Sequence, residues 1–219
     1  MTNVFQTLRA AWTFTQLVRN PEQLDKVFEL VESTEIDPEQ QIQQMRAVPE
    51  IAAFLDEPWS IDGLDLEPLR ELPPGTLGRE FADHMRANDL DPAVLFRTRG
   101  QTPMERVSAH VEQSHDIWHV VTGFNTQVDG ELGLQAFYLA QLTDPPAAAI
   151  ISAGLLHLVL YDFGKLPAAM QALSDGWTMG QKARPLFGIR WHERWNEPLS
   201  TIRAELGLPE GQAPLRRVA

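Results

Sequence analysis

Apolar residues recur at helical spacing along most of the chain, and two-residue alternation is almost absent. That pattern predicts helices nearly throughout. Phe5, Leu8, Trp12 and Leu17 mark a first helix from Val4 to Val18. Asn20-Pro21 stops the chain and restarts it, and Leu24, Val27, Phe28 and Val31 stripe a second helix. Asp37-Pro38 opens a third, and Pro49 opens a short fourth through Phe54 and Leu55. Trp59 to Glu67 reads as loop. Leu72-Pro73-Pro74-Gly75-Thr76 is a rigid connector, after which Thr76 or Gly75 can cap a helix carrying Leu77, Phe81 and Met85. Asp89 to Gly100 reads as connector.

The sharpest helix start is Thr102-Pro103-Met104-Glu105, with Thr as N-cap, Pro in the first position and Glu in the third. This helix is expected from Pro103 to about Thr122, ending near Gly123. Glu131 to Leu142 gives another, closed by Asp144-Pro145-Pro146. Ala147 to Tyr161 is strongly apolar but short for a membrane span, and it predicts a fully buried central helix. Leu166 to Met179 and Gly188 to Leu206 give the last two. No repeat or low-complexity block is present. The expected fold class is all-α, a single-domain multi-helix bundle over residues 1–219.

Composition narrows the function. The 219 residues include 18 basic and 30 acidic side chains, a net charge of -12. Such a balance speaks against a nucleic-acid partner, and against simple electrostatic attachment to anionic lipid. There is no cysteine. A disulfide framework, a thiolate nucleophile and thiolate-ligated zinc are therefore excluded. The start Met1-Thr2-Asn3 lacks a charged leader followed by an apolar block, so no signal peptide is expected. Arg216-Arg217 is a short basic tail.

The candidate chemistry sits in His115-Asp116-Ile117-Trp118-His119, followed after eleven residues by Glu131. At about 100° per residue, Val107, Val111, Ser114, Trp118 and Val121 form the inward stripe of their helix. Glu112, His115, Asp116 and His119 fall along one flank of that stripe. His115 and His119 stand one turn apart, so their rings can converge on one ion. Asp116 can ligate it or orient an imidazole. A turn between Gly123 and Gly130 can bring Glu131 back to face them. Two nitrogens with one or two carboxylate oxygens suit zinc, ferrous iron or manganese better than magnesium. Ordinary polar residues on a half-exposed helix would give the same short pattern.

Three better-known metal motifs fit less well. Zinc proteases need Glu where this chain has Asp116. Di-iron proteins need a second Glu-x-x-His pair beside Glu112 and His115. The His-Asp phosphohydrolases need further ligands that His84, His110 and His157 do not supply. These three and His192 read as structural or exposed. Trp191 and Trp195, at one-turn spacing, read as core or a dimer contact. Lys182 and Arg184, near a helix end, are candidates to hold a diphosphate or a ring carboxylate. A solvated or ion-paired helix terminus would explain them equally.

The run His115-Asp116-x-x-His119 with Glu131 resembles the signature of the coenzyme Q biosynthesis protein 4 family. Leu72-Pro73-Pro74-Gly75-Thr76-Leu77-Gly78 is similar to its Leu-Pro-x-x-Thr-x-Gly connector. Gly123 and Gly130-Glu131, Gly180 to Leu186, and Trp191-x-x-x-Trp195 follow in the family's order. The likeness covers about residues 15 to 207. His192 stands where the family has an acidic residue, here displaced to Glu193, and Asp91 to Arg106 matches poorly, as in a distant bacterial relative.

The resemblance implies an all-helical fold and a divalent metal on His115, Asp116, His119 and Glu131. Zinc comes first; iron, manganese or magnesium are the alternatives. It implies a prenylated quinone precursor or prenyl phosphate lipid as ligand, other quinone-biosynthesis proteins as partners, and a cytoplasmic location on the inner face of the membrane. A homodimer is plausible on the same ground. Two roles follow: (oxidative) decarboxylation of a prenylated hydroxybenzoate-type ring with those four residues as the catalytic set, or a non-catalytic scaffold with a structural metal. The apolar stretches Leu132 to Leu142 and Ala147 to Leu160 would suit a prenyl groove, though plain core would look the same.

Overall fold

The computed structural model describes residues 13–19, 26, 38–61, 63–96, 100–142 and 145–210. Residues 13–19 are helical. The remainder of the first expected helix, the stripe of the second and the Arg216-Arg217 tail lie outside the described residues. The helices that follow are α1 (Pro38–Met45), α2 (Pro49–Asp56), α3 (Glu67–Arg70), α4 (Leu77–Ala87), α5 (Pro92–Leu95), α6 (Pro103–Thr122), α7 (Val128–Leu142), α8 (Pro145–Tyr161), α9 (Leu166–Lys182) and α10 (Leu199–Leu206). The class is all-α. Among the described residues the only extended pairing is an isolated bridge between Thr76 and Pro198. Two compact units result. One joins Pro38–Thr126 to the segment from Lys182 onward. The other joins Gln127–Gln181 to the described part of residues 1–37.

The first unit is built around α6. Its start is a capping box: Glu105 N–H donates to Thr102 Oγ1 at 3.2 Å, and Thr102 N–H donates to Glu105 Oε2 at 2.8 Å. Its end is Gly123, at φ 85°, whose N–H donates to the His119 carbonyl at 2.9 Å. Arg203 of α10 reaches two more terminal carbonyls, those of Val121 (3.0 Å) and Val120 (2.9 Å). A cation at a helix C-terminus also complements the helix dipole. The expected stripe is buried at Val107, Ser114, Trp118 and Val121, but from Asp116 to Thr122 every side chain is buried.

α4 packs Leu77, Phe81, Ala82 and Met85 into the same core. Its opening N–H groups are satisfied by the chain after residue 194. Leu77 N–H donates to Glu197 O, and Gly78 N–H to Trp195 O, both at 2.9 Å. Thr76 does not cap with its side chain; its hydroxyl donates to Pro73 O. The expected helix from Gly188 to Leu206 is not continuous. Residues 188–198 hold a 3-10 turn at Trp191–Glu193, and helix resumes only at Leu199. Pro198 is the physical reason: it sits extended at ψ 130° and resets the backbone just before α10. Trp191 and Trp195 therefore share no helix face. Both are core, and Trp195 stacks on Phe81 at 5.4 Å.

His110 is fully within this core, among Phe54, Trp59 and Phe187. Its Nε2 accepts the Gly188 N–H at 2.9 Å. Burial pushes its pKa down to about 3.

In the second unit α8 packs along α7. Leu132, Leu158 and Ala169 form one cluster, and Leu17, Val18 and Ala153 another. The His157 ring N–H donates to Val18 O at 2.8 Å. α8 is not the fully buried helix that its apolar run predicts. Only Ala147, Ala153, Gly154 and Leu158 are buried, whereas Leu156, Val159, Leu160 and Tyr161 are exposed. Uniform apolarity hides which face is covered; here the small residues turn inward, and Gly154 lets Leu132 approach. Gly133 of α7 and Gly176 of α9 meet backbone to backbone. A Cβ added at Gly176 would lie 1.9 Å from the Gly133 carbonyl oxygen.

Two outcomes follow from this packing. Gly176→Ala should cost roughly 3 kcal/mol or more, read from urea unfolding, because the obstacle is backbone rather than a movable side chain. For His110 the unfolded chain binds its proton near pH 6.5 and the folded chain only near 3. Unfolding therefore takes up a proton in that window, and stability falls with acid by up to about 1.4 kcal/mol per pH unit. His110→Phe should flatten that part of the unfolding free energy against pH, relative to wild type.

Candidate metal centre

α6 delivers three of the expected residues: His115, Asp116 and His119. The last is nearly inaccessible, at 1 % exposure. His119 Nδ1 lies 3.0 Å from the Phe124 carbonyl oxygen. A carbonyl only accepts, so the ring proton sits on Nδ1 and the lone pair on Nε2. The left-handed turn at Gly123 places Phe124 where it does this. His119 Nε2 in turn stands 3.2 Å from His115 Nε2, with the two rings at 89°.

Glu131 belongs to the first turn of α7, as the sequence predicts. His115 and His119 are residues that could hold a metal ion, with Glu131 of the second unit as the third candidate. The spacing of the imidazoles is a test of fit. Two nitrogens each about 2.0–2.1 Å from a tetrahedral cation stand about 3.3 Å apart. The observed nitrogens meet that condition. Without a cation, a proton on His115 Nε2 can bridge to the His119 lone pair, and a cation would displace it.

Asp116 is placed differently from the other three. Its Oδ1 is 3.1 Å from Nε2 of His84, a buried residue of α4. The two rings of His84 and His119 stack at 5.6 Å and 22°. Burial raises the Asp116 carboxyl pKa. The hydrogen bond from His84 and the charges of His115, His84 and His119 outweigh this and hold it below the ordinary carboxylate range. His84 is the site residue that the motif alone misses. The available signal was its position: Leu77, Phe81, His84 and Met85 share the inward face of α4, and a histidine on such a face needs a buried partner.

The comparisons decide the lineage. The profile of the coenzyme Q (ubiquinone) biosynthesis protein Coq4 matches residues 2–211. The chain belongs to the Coq4 family. It is 30% identical over 175 residues to the mitochondrial ubiquinone biosynthesis protein COQ4 homolog of Rattus norvegicus, covering 75% of this chain and 63% of that protein. It is 29% identical over 185 residues to the homolog of Bos taurus, covering 79% and 65%. The chain thus spans somewhat less than two thirds of the length of these curated relatives. A crystal structure of a candidate ubiquinone biosynthesis protein from Nostoc punctiforme superposes with a TM-score of 0.79 at 29% identity. That match covers 92% of this chain and 97% of the other.

Lys182 and Arg184 both lie on the surface of this Coq4-family chain. Lys182 closes α9. Arg184 donates its backbone N–H to Leu206 O and sets its guanidinium 3.9 Å from Glu205. The tautomer assignment at the centre is directly measurable. Long-range proton–nitrogen NMR of the metal-free chain at neutral pH should show His119 protonated at Nδ1; an Nε2–H signal there would remove the geometric case for ligation.

Proposed function

We propose that this Coq4-family chain acts in ubiquinone biosynthesis as a metal-dependent protein that binds a prenylated ring intermediate. The observation that carries the reading is the pair of facing imidazole nitrogens of His115 and His119. His115, His119 and Glu131 would hold the divalent cation, and Asp116 would serve the centre from behind them. Two nitrogens and an oxygen favour zinc, then iron or manganese, over magnesium. A cation there would polarise a ring carboxylate and take up negative charge as carbon dioxide leaves. The chain's own part is to fix the imidazole lone pairs and to restrict water at the nearly inaccessible His119.

The lipid part of the proposal draws on the second unit. Among the described residues, the large exposed apolar side chains are Leu156, Val159, Leu160, Tyr161, Phe163, Met170 and Trp177. All fall in α8, α9 or the turn that joins them. A contiguous stretch of that kind suits a prenyl chain or a membrane surface. No helix of the described residues is long and apolar enough to cross a membrane. Lys182 and Arg184 would meet a lipid phosphate or ring carboxylate.

Elemental analysis of the purified chain should give close to one divalent metal per chain. Glu131→Ala should weaken that metal at least about tenfold. Turnover of a carboxylated prenyl-phenol should be lost with it while the fold, followed by circular dichroism, persists. Collapse of the fold on the same substitution would favour a scaffold with a structural ion. Absence of any metal from wild type, and failure to take up added zinc, would overturn the metal-dependent reading.

A further inference from the structure

We infer that His84 is a positioning residue of the metal centre: it holds Asp116 as a buried counter-charge behind the ligands and braces the His119 ring. The inference rests on the metal reading above and deepens it. The starting point is the division among the four motif residues. His115 and His119 face each other, whereas Asp116 is engaged by another helix.

The His84–Asp116 pair is almost entirely enclosed, with side chains 4 % and 10 % exposed. A carboxylate only accepts hydrogen bonds, so the proton of the shared bond belongs to His84 Nε2. Removing that donor would leave a buried carboxylate short of a partner, a costly state that the chain can relieve only by turning Asp116 elsewhere. The pair therefore fixes where Asp116 points.

The same imidazole does a second job. Its face lies on the face of His119, whose Nδ1–H is tied to Phe124 O. His119 is thus held by a hydrogen bond at one edge and by a ring against its face. Its remaining nitrogen has one direction to take, toward His115 Nε2. Neither His84 contact requires His84 to touch a metal or a substrate. Its position is secured by α4, whose first turns are pinned to the Trp195–Glu197 segment and whose Phe81 stacks on Trp195.

Chelator competition for Zn²⁺ on the full chain separates the roles, with folding of each metal-free variant checked by circular dichroism. His84→Phe keeps an aromatic face and loses the donor; it should weaken Zn²⁺ about 10- to 100-fold, the usual effect of an outer partner. His84→Gln restores an N–H and should recover most of that loss. Asp116→Asn still accepts from His84, so it should cost less than about tenfold, whereas His119→Ala should all but abolish binding. Two results would overturn the inference while leaving the metal reading intact. One is His84→Phe binding Zn²⁺ within about twofold of wild type. The other is Asp116→Asn losing binding as severely as His119→Ala, which would make Asp116 a ligand. Should His84→Phe not fold, the Asp116→Asn and His84→Gln arms still decide. Wild type that takes up no Zn²⁺ overturns both readings together.

Discussion

A buried helix that carries polar side chains imposes the main constraint on this protein. α6 is enclosed on all sides over its last two turns, yet its buried residues include His110, Gln113, Ser114, Asp116, His119 and Thr122. Each such group costs free energy unless it finds a hydrogen-bond partner. The hydroxyls of Ser114 and Thr122 bond back to carbonyls four residues earlier. The others recruit neighbours. Gln113 accepts from the Ile61 N–H and donates to Ser60, which fixes the loop after α2. His110 takes the Gly188 N–H, which fixes the segment after α9. Asp116 takes His84, and Arg203 covers the helix end. The surroundings of α6 are thus specified partly by its polar groups, and the apolar stripe alone would not specify them.

That explains what was legible in the sequence. Local signals decide the ends of α6, because a capping box and a left-handed glycine act over a few residues. Spacing decides that His115 and His119 face one way, because a helix repeats every 3.6 residues. The family signature is what puts Glu131 forward as a further ligand. His84 was not legible, since its partner lies 32 positions away and no local pattern encodes that pairing. The break before α10 was readable in principle from Pro198, but the apolar spacing from Gly188 to Leu206 imitated a helix through it. α8 misled for another reason. An all-round apolar helix carries no periodicity, so burial could not be assigned to a face.

The exposed apolar side chains of α8 and α9 have a cost of their own. They contribute little to the folding of their unit and invite association. A net charge of -12 opposes the approach of anionic surfaces by repulsion. The combination favours hydrophobic contact over electrostatic capture.

At the centre itself, rigidity and reactivity are linked. Two neutral imidazoles with facing lone pairs repel, so the 3.2 Å approach of His115 and His119 requires something positive between them, a proton or a metal cation. His119 cannot escape by rotating, because Phe124 fixes its protonated edge and His84 its face. A proton carried by His115 Nε2 satisfies this pair, and a divalent cation would be the alternative occupant. Asp116 adds a negative charge nearby, held low in pKa and directed toward His84. A divalent ion at this site would find one Asp116 oxygen already engaged by His84.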